Sequence, residues 1–244
     1  MNIAINGPKI LFTLPFFGGI SITETIVNSW IVMGLIALAA IWLTKGMTVH
    51  NPGKKQIVAE TIVKALNGLV STNMGEQWQY MMPYIGTVFA YSFVSSMLSI
   101  TGLRSPTADF SVTLAMALIT FAMVQFFNMK TKGPIGYITR FTKPVAVMTP
   151  LNVLSEVASP VSLSLRHFGN IASGLVITGL IYGSLAALSG FVLGWIPSTF
   201  LSNIPIFQAG IPAVLSIYFD CFTSALQAYI FCMLTMVYVS GAAE

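Results

Sequence analysis

PLNVLSEVASPVSLSLRHFGNIASGLVITGLIYGSLAALSGF, residues 150–191, is the stretch that decides the fold class. It is apolar throughout, and Glu156, Arg166 and His167 are its only ionisable side chains apart from Tyr182. About 20 residues carry a helix across the hydrocarbon of a bilayer, so this segment far exceeds one upright crossing. After a break marked by Gly194, Pro197 and Pro205, a second over-long segment runs from Ile211 to Val239. Excess apolar length is absorbed by tilt or by following a partner surface. The pair therefore predicts a hairpin of two long, strongly tilted helices.

The remainder of the chain agrees. Hydrophobic residues occupy 55% of 244 positions and charged residues only 7%, where a soluble domain carries about 25% charged. Such a chain cannot cover a water-facing surface. Inside lipid every backbone group must be satisfied internally, which leaves helices or a closed barrel. Runs such as Trp30–Leu43 lack the strict alternation of barrel strands, so helices are expected. The predicted fold is an all-α integral membrane protein with five transmembrane helices and one interfacial helix. An outer N-terminal segment covers 1–21, spans cover 22–44, 80–101 and 108–129, and the long helices cover 150–191 and 205–241. The interfacial helix covers 54–73. There Ile57, Val58, Ile62, Val63, Leu66, Leu69 and Val70 form one face, opposed by Lys55, Glu60, Lys64 and Asn67, the pattern of a helix lying in the plane of the membrane surface.

The net charge of +4 does not indicate a nucleic-acid partner, because the basic residues are few and scattered rather than gathered into a phosphate-binding stripe. They mark topology instead. Eight of the eleven sit in two connections: Lys45, Lys54, Lys55 and Lys64, then Lys130, Lys132, Arg140 and Lys143. Both connections fall on one side of a five-span chain, and the positive-inside rule makes that side cytoplasmic. The N-terminus is then expected outside and Glu244 inside. Trp42 and Trp78 near the inner edge and Trp195 near the outer one fit aromatic belts. The start, MNIAINGPKI, has no basic region followed by an apolar one, so no cleavable leader is expected. Cys221 and Cys232 stand eleven residues apart, roughly 16 Å along a helix, too far to bridge; they read as small core residues. No metal or cofactor site is expected.

Few ionisable groups remain within the spans: Asp109, Glu156, Arg166, His167 and Asp220, with Glu24 near an end. A charge at mid-membrane costs from about 3 to over 10 kcal/mol, which makes each a functional candidate. Arg166 lies roughly 24 Å from the start of the long helix at 1.5 Å per residue, and its guanidinium does not titrate. It needs an anion, water or a partner protein nearby. The alternative is an arginine paired with Glu156 or Asp220 as a helix strut. Glu156 marks either the mouth of an inner aqueous path or a solvated helix end. His167 points about 100° from Arg166 and reads as a packing or interface residue. Asp109 either caps the helix that begins there or sits in an outer vestibule.

The run PVSLSLRHFGNIASG (Pro160–Gly174) resembles the signature of subunit a of F-type ATP synthases, in which an arginine precedes a Phe-Gly-Asn triplet. LQAYIFCMLTMVYVSGA (Leu226–Ala242), with Gln227, is similar to that family's C-terminal helix. The resemblance implies a non-catalytic, multi-pass subunit of the cell (inner) membrane. Its partners would be a ring of c subunits, a b-subunit peripheral stalk, the remaining complex and the lipid bilayer. It implies two offset half-channels carrying H⁺ or Na⁺ to and from the ring's carboxylates, with Arg166 as the essential fixed cation between them. Asn170 and Gln227 match positions flanking that arginine; the alternative is a pair of interhelical amides bonding each other. Two departures stand out. Many bacterial relatives carry a glutamate where this chain has Leu175, and a histidine where it has Asp220. Asp220, Ser224 and Gln227, at i, i+4 and i+7, fall on one helical face, which would give the outer half-channel its acid on the opposite helix.

Two other classes fit less well. A self-contained secondary cation transporter would call for internal repeats and broken helices, and no repeat relates the two halves. An intramembrane hydrolase would need a nucleophile paired with a base, and none is recognisable.

Overall fold

The computed structural model describes residues 8–15, 20–49, 52–101, 103–142, 146–193 and 217–243. Two short antiparallel strands, β1 (Ile10–Leu14) and β2 (Ile20–Thr23), precede the helices α1 (Glu24–Thr44), α2 (Lys54–Met74), α3 (Met82–Met97), α4 (Phe110–Thr142), α5 (Thr149–Leu193) and α6 (Thr223–Ala243). The hairpin lies mostly in the stretch expected only as an N-terminal segment; its short strands are too brief to carry a periodic signal. Apart from it the fold is helical.

The packing is inverted with respect to a soluble protein. On α1, Trp30, Leu35, Leu38 and Ile41 are exposed while Thr25 and Asn28 are buried. A helix apolar all round is at home in lipid, and the few polar groups then turn inward to find partners. Asn28 Nδ2 donates to the Arg104 carbonyl at 2.8 Å, and Ser29 and Tyr91 share a short hydroxyl contact.

Among the described residues, four helical stretches are long and apolar enough to cross a membrane: Glu24–Thr44, Phe110–Tyr137, Thr149–Phe191 and Thr223–Ala243. The fifth expected span corresponds to α3, whose 16 α-helical residues rise only about 24 Å. It is extended by 3₁₀ turns at Glu76–Met81 and Leu98–Thr101. Residues 194–216, including Trp195 and the start of the second long helix, lie outside the described residues.

Two glycines set turns between helices. Gly75, at φ 92, ends α2 in a conformation that side chains resist. Gly133, at φ 68, interrupts α4, and Pro134 begins the next turn without needing a backbone donor. The chain folds back there: Tyr137 OH donates to Gln125 Oε1 at 2.6 Å, although residues twelve apart on a straight helix would be about 18 Å apart. The second basic connection is thus, in its described part, a short helix returned against the rest of α4.

The core gathers Val70, Met74, Trp78, Ile85, Cys232, Met236 and Val239 from α2, the 3₁₀ turn after it, α3 and α6. Trp78 is 6% exposed and lies edge-on to Phe127, so it is a core residue rather than part of an interfacial belt. Trp42 remains exposed, with the Lys55 ammonium 4.0 Å from its ring centre. On α2 the apolar face is divided: Val70 is buried, whereas Ile57, Val58, Ile62 and Val63 are exposed.

Candidate functional site

Helix α5 packs along α4 and meets α6. One side of it is sequestered, with Leu163, Ser164 and His167 buried. The other side is open: Ser162, Arg166, Ser173, Ile177 and Leu180 recur at helical spacing and are exposed. Small residues keep that side low, and a Cβ added at Gly169 would meet nothing within 4 Å. Arg166 makes no hydrogen bond or ion pair among the described residues. A strut between Arg166 and Glu156 is therefore not present.

Glu156 is engaged elsewhere. Its carboxylate is ion-paired with Arg140 and accepts a 2.6 Å hydrogen bond from Gln125 Nε2. Its side chain is 18% exposed, so it is not a freely solvated helix end. The Arg140 guanidinium reaches it because the chain turns back at Gly133. Both side chains line a cavity of about 250 Å³ between α4, α5 and the end of α6, together with Asn128, Ser159 and Tyr238. Asn128 is fully buried, and its Oδ1 has no partner among the described residues.

On the α5–α6 side, Asn170 Nδ2 donates to the Thr223 carbonyl at 3.5 Å. It therefore ties α5 to the start of α6 and does not bond Gln227. Gln227 is 5% exposed and its Nε2 is without a partner among the described residues. Ser224, one turn earlier, is also buried. Directly before α6 the backbone forms a π-turn, Ile217–Phe222, in which Thr223 Oγ1 donates to the Tyr218 carbonyl at 3.2 Å. Asp220 lies within that turn, and its side chain lies outside the described set. A π-turn bonds i to i+5 and is a local widening often found at functional positions. No periodicity argument could have anticipated it.

His167 is 1% exposed, joined to Ser92 Oγ through Nε2 at 3.1 Å, and lies edge-on to Phe231 with ring centres 5.4 Å apart. It is a packed residue, as its position 100° from Arg166 suggested, but its hydroxyl partner on α3 was not foreseen. Asp109 Oδ1 accepts from the Ser111 backbone N–H at 3.1 Å, the geometry of a helix cap. Arg140 and Gln125 were also missed. Arg140 was counted as a topology charge, and its pairing depends on a backbone reversal that only the Gly133–Pro134 dipeptide hinted at.

Comparison with known proteins bears on this arrangement. The family model described as "ATP synthase A chain" matches residues 26–240. A protein of Propionigenium modestum named "ATP synthase subunit a, sodium ion specific" is 30% identical over 98% of this chain and 86% of its own length. ATP synthase subunit a of Desulforamulus reducens is 34% identical over 91% of this chain and 80% of its own. ATP synthase subunit a 1 of Hahella chejuensis is 32% identical over 100% of this chain and 92% of its own. A match across nearly the whole helical region leaves one assignment: this multi-pass membrane protein belongs to the ATP synthase A chain family.

Proposed function

We propose that this chain is the ion-translocating stator subunit of a rotary ATP synthase, with the open face of α5 seated against a ring of c subunits and a b-subunit stalk holding it in place. One observation carries the reading. Arg166 is a permanently charged residue with no partner among the described residues, on a low, small-residue helix face, in a member of the ATP synthase A chain family. A bare cation on a lipid-facing surface is costly; a rotor carboxylate arriving there would offset that cost. The same encounter favours the ionised carboxylate, so the carboxylate releases its H⁺ or Na⁺ as it approaches. Fixed between two aqueous half-channels, the guanidinium repels the cation and prevents leakage from one to the other.

The cavity beside Glu156 suits the inner half-channel, because Arg140, Glu156, Asn128 and Ser159 line it and the Asn128 Oδ1 has no partner among the described residues. Asp220, Ser224 and Gln227 suit the outer one. Five spans, with the N-terminus outside, the C-terminus cytoplasmic and α5 and the second long helix as a tilted hairpin, complete the proposal. The α2 face of Ile57, Val58, Ile62 and Val63 then rests in the inner interface.

Cross-linking tests the seating. Ser173→Cys lies on the open face of α5, and a cysteine placed on the outer helix of the rotor hairpin should form a disulfide with it. The link should block ATP-driven pumping until reductant is added. Cross-linking from Leu163→Cys on the buried side, with none from Ser173→Cys, would place the rotor elsewhere.

A further inference from the structure

The half-channel reading leaves a second cavity unused. It has a volume of about 460 Å³ and lies between α2, α3 and α6. Its walls are almost wholly apolar and include Ile62, Leu66, Leu69, Phe89, Phe93 and Tyr229. The Cys232 thiol on the α6 wall is bonded to the Ile85 carbonyl at 3.7 Å, so it calls for no water. An apolar space of this kind stays dry, and close-packed interiors leave few voids larger than a water molecule. Nor can the helices close it by approaching. A Cβ on Gly86 would come within 2.9 Å of Leu66 Cδ1, so α2 and α3 already touch at that level. Ile62 and Tyr229 are 48% and 42% exposed, which leaves the rim open to the outside of the chain.

The charges beside this cavity are of one sign. Lys45 directly follows α1, Lys54 and Lys55 open α2, and no acidic residue stands between them in the sequence. All three are exposed, and the Lys55 ammonium lies 4.0 Å from the Trp42 ring centre. Lys55, Ile62, Leu66 and Leu69 follow one another at intervals of seven, four and three residues, which places them on a single stripe of the helix. Glu60, the first acid on α2, is turned about 140° from Lys55 and accepts from Gln56 Nε2 at 2.8 Å. From Lys55 to Leu69 the stripe rises about 21 Å, against about 15 Å for one leaflet of the ~30 Å hydrocarbon core. A cationic end followed by an apolar slot of that length is complementary to an amphiphile with one anionic head.

We propose that this groove is a binding site for one anionic phospholipid, with its phosphate at Lys54 and Lys55 and an acyl chain seated between α2 and α3 against Tyr229. Lysines beside a membrane surface attract anionic headgroups, and the cavity adds a fixed place for the chain. An apolar membrane helix of a partner subunit would cover the groove without using the cations, so the lipid is the better match. The site goes beyond the rotor reading; only its assignment to the cytoplasmic leaflet rests on that reading.

The test uses the whole ATP synthase complex in phosphatidylcholine nanodiscs containing a trace of phosphatidylglycerol with a diazirine on its acyl chain. Phosphatidylcholine bearing the same diazirine is the control probe. After irradiation, labelled peptides are mapped by mass spectrometry. Yield in residues 85–94 is divided by yield in residues 35–41, where Leu35, Leu38 and Ile41 are exposed and report contact with bulk lipid. That ratio should be at least about fivefold higher for the anionic probe, the factor that one lysine contributes at an anionic surface. Lys54→Gln/Lys55→Gln should bring the two probes to the same ratio with assembly and ATP hydrolysis unchanged, because both side chains are exposed. Ala90→Phe, which fills the cavity from α3, should remove the label from residues 85–94. Equal ratios for the two probes, or an anionic preference that survives either variant, overturn the site. So does a disulfide from Ile62→Cys to a cysteine on a stalk helix in complexes that take up no label, since the groove then holds protein. The readout is binding, so its outcome is independent of whether Arg166 proves essential to synthesis.

Discussion

Glu156 and Arg140 are ion-paired across the seam between α5 and the returned segment beyond Gly133, and Gln125 holds the same carboxylate from α4. Three chain segments therefore converge on one acidic side chain at the rim of a cavity. Removing one member of a partly buried pair leaves the other uncompensated. Arg140→Gln should destabilise the folded subunit by about 1–3 kcal/mol, less than a fully buried pair because the arginine is about one-third exposed. The double variant Arg140→Gln/Glu156→Gln should recover part of that loss. A double-mutant cycle on thermal unfolding of the purified complex measures the coupling; additive losses would mean that the pair contributes nothing.

Gly133 makes that convergence possible. A side chain at φ 68 costs roughly 1–2 kcal/mol, so Gly133→Val should favour straightening of α4 and withdraw Arg140 from Glu156. Gly133→Asn, which tolerates this region better, should be milder. A disulfide between Gln125→Cys and Tyr137→Cys, whose parent side chains bond at 2.6 Å, reports the fold-back. It should form readily with Gly133 and poorly with Val there; equal yields would show that the glycine is dispensable.

Topology is tested from outside the sites. A membrane-impermeant thiol reagent should label Lys55→Cys and Lys132→Cys only from the cytoplasmic side. Labelling of either from the outer face of sealed cells would overturn the five-span arrangement.

The sequence alone made the helical membrane class legible, because lipid imposes long apolar helices, and it singled out Arg166 because lipid makes each retained charge conspicuous. The long α5 was readable from its unbroken apolarity. Three features were not. The fold-back at Gly133 depends on one positive-φ residue, which no hydrophobic period records. The π-turn around Asp220 changes register without changing composition. The Ser92–His167 contact joins residues 75 apart, and serines on an apolar helix look like small packing residues until their partners are seen. Trp78 failed as a belt residue for a related reason: proximity to a helix end in sequence does not say whether the core folds over it.

Asp220 provides a test of the outer path. Asp220→Asn keeps the shape but removes the acid, so cation flux from outside should fall steeply while assembly is retained. Adding Leu175→Glu to that variant restores an acid on the facing helix and should recover some transport. Normal pumping by Asp220→Asn across pH would remove Asp220 from the path.

The central claim is that the guanidinium of Arg166 works on the rotor carboxylates, and ATP synthesis driven by an imposed ion gradient in assembled Arg166→Ala complexes tests it most directly. Synthesis should vanish while the complex still assembles. Arg166→Lys should fail almost as completely, because an ammonium is more strongly hydrated and able to lose its proton. Substantial gradient-driven synthesis by assembled Arg166→Ala complexes would contradict the account.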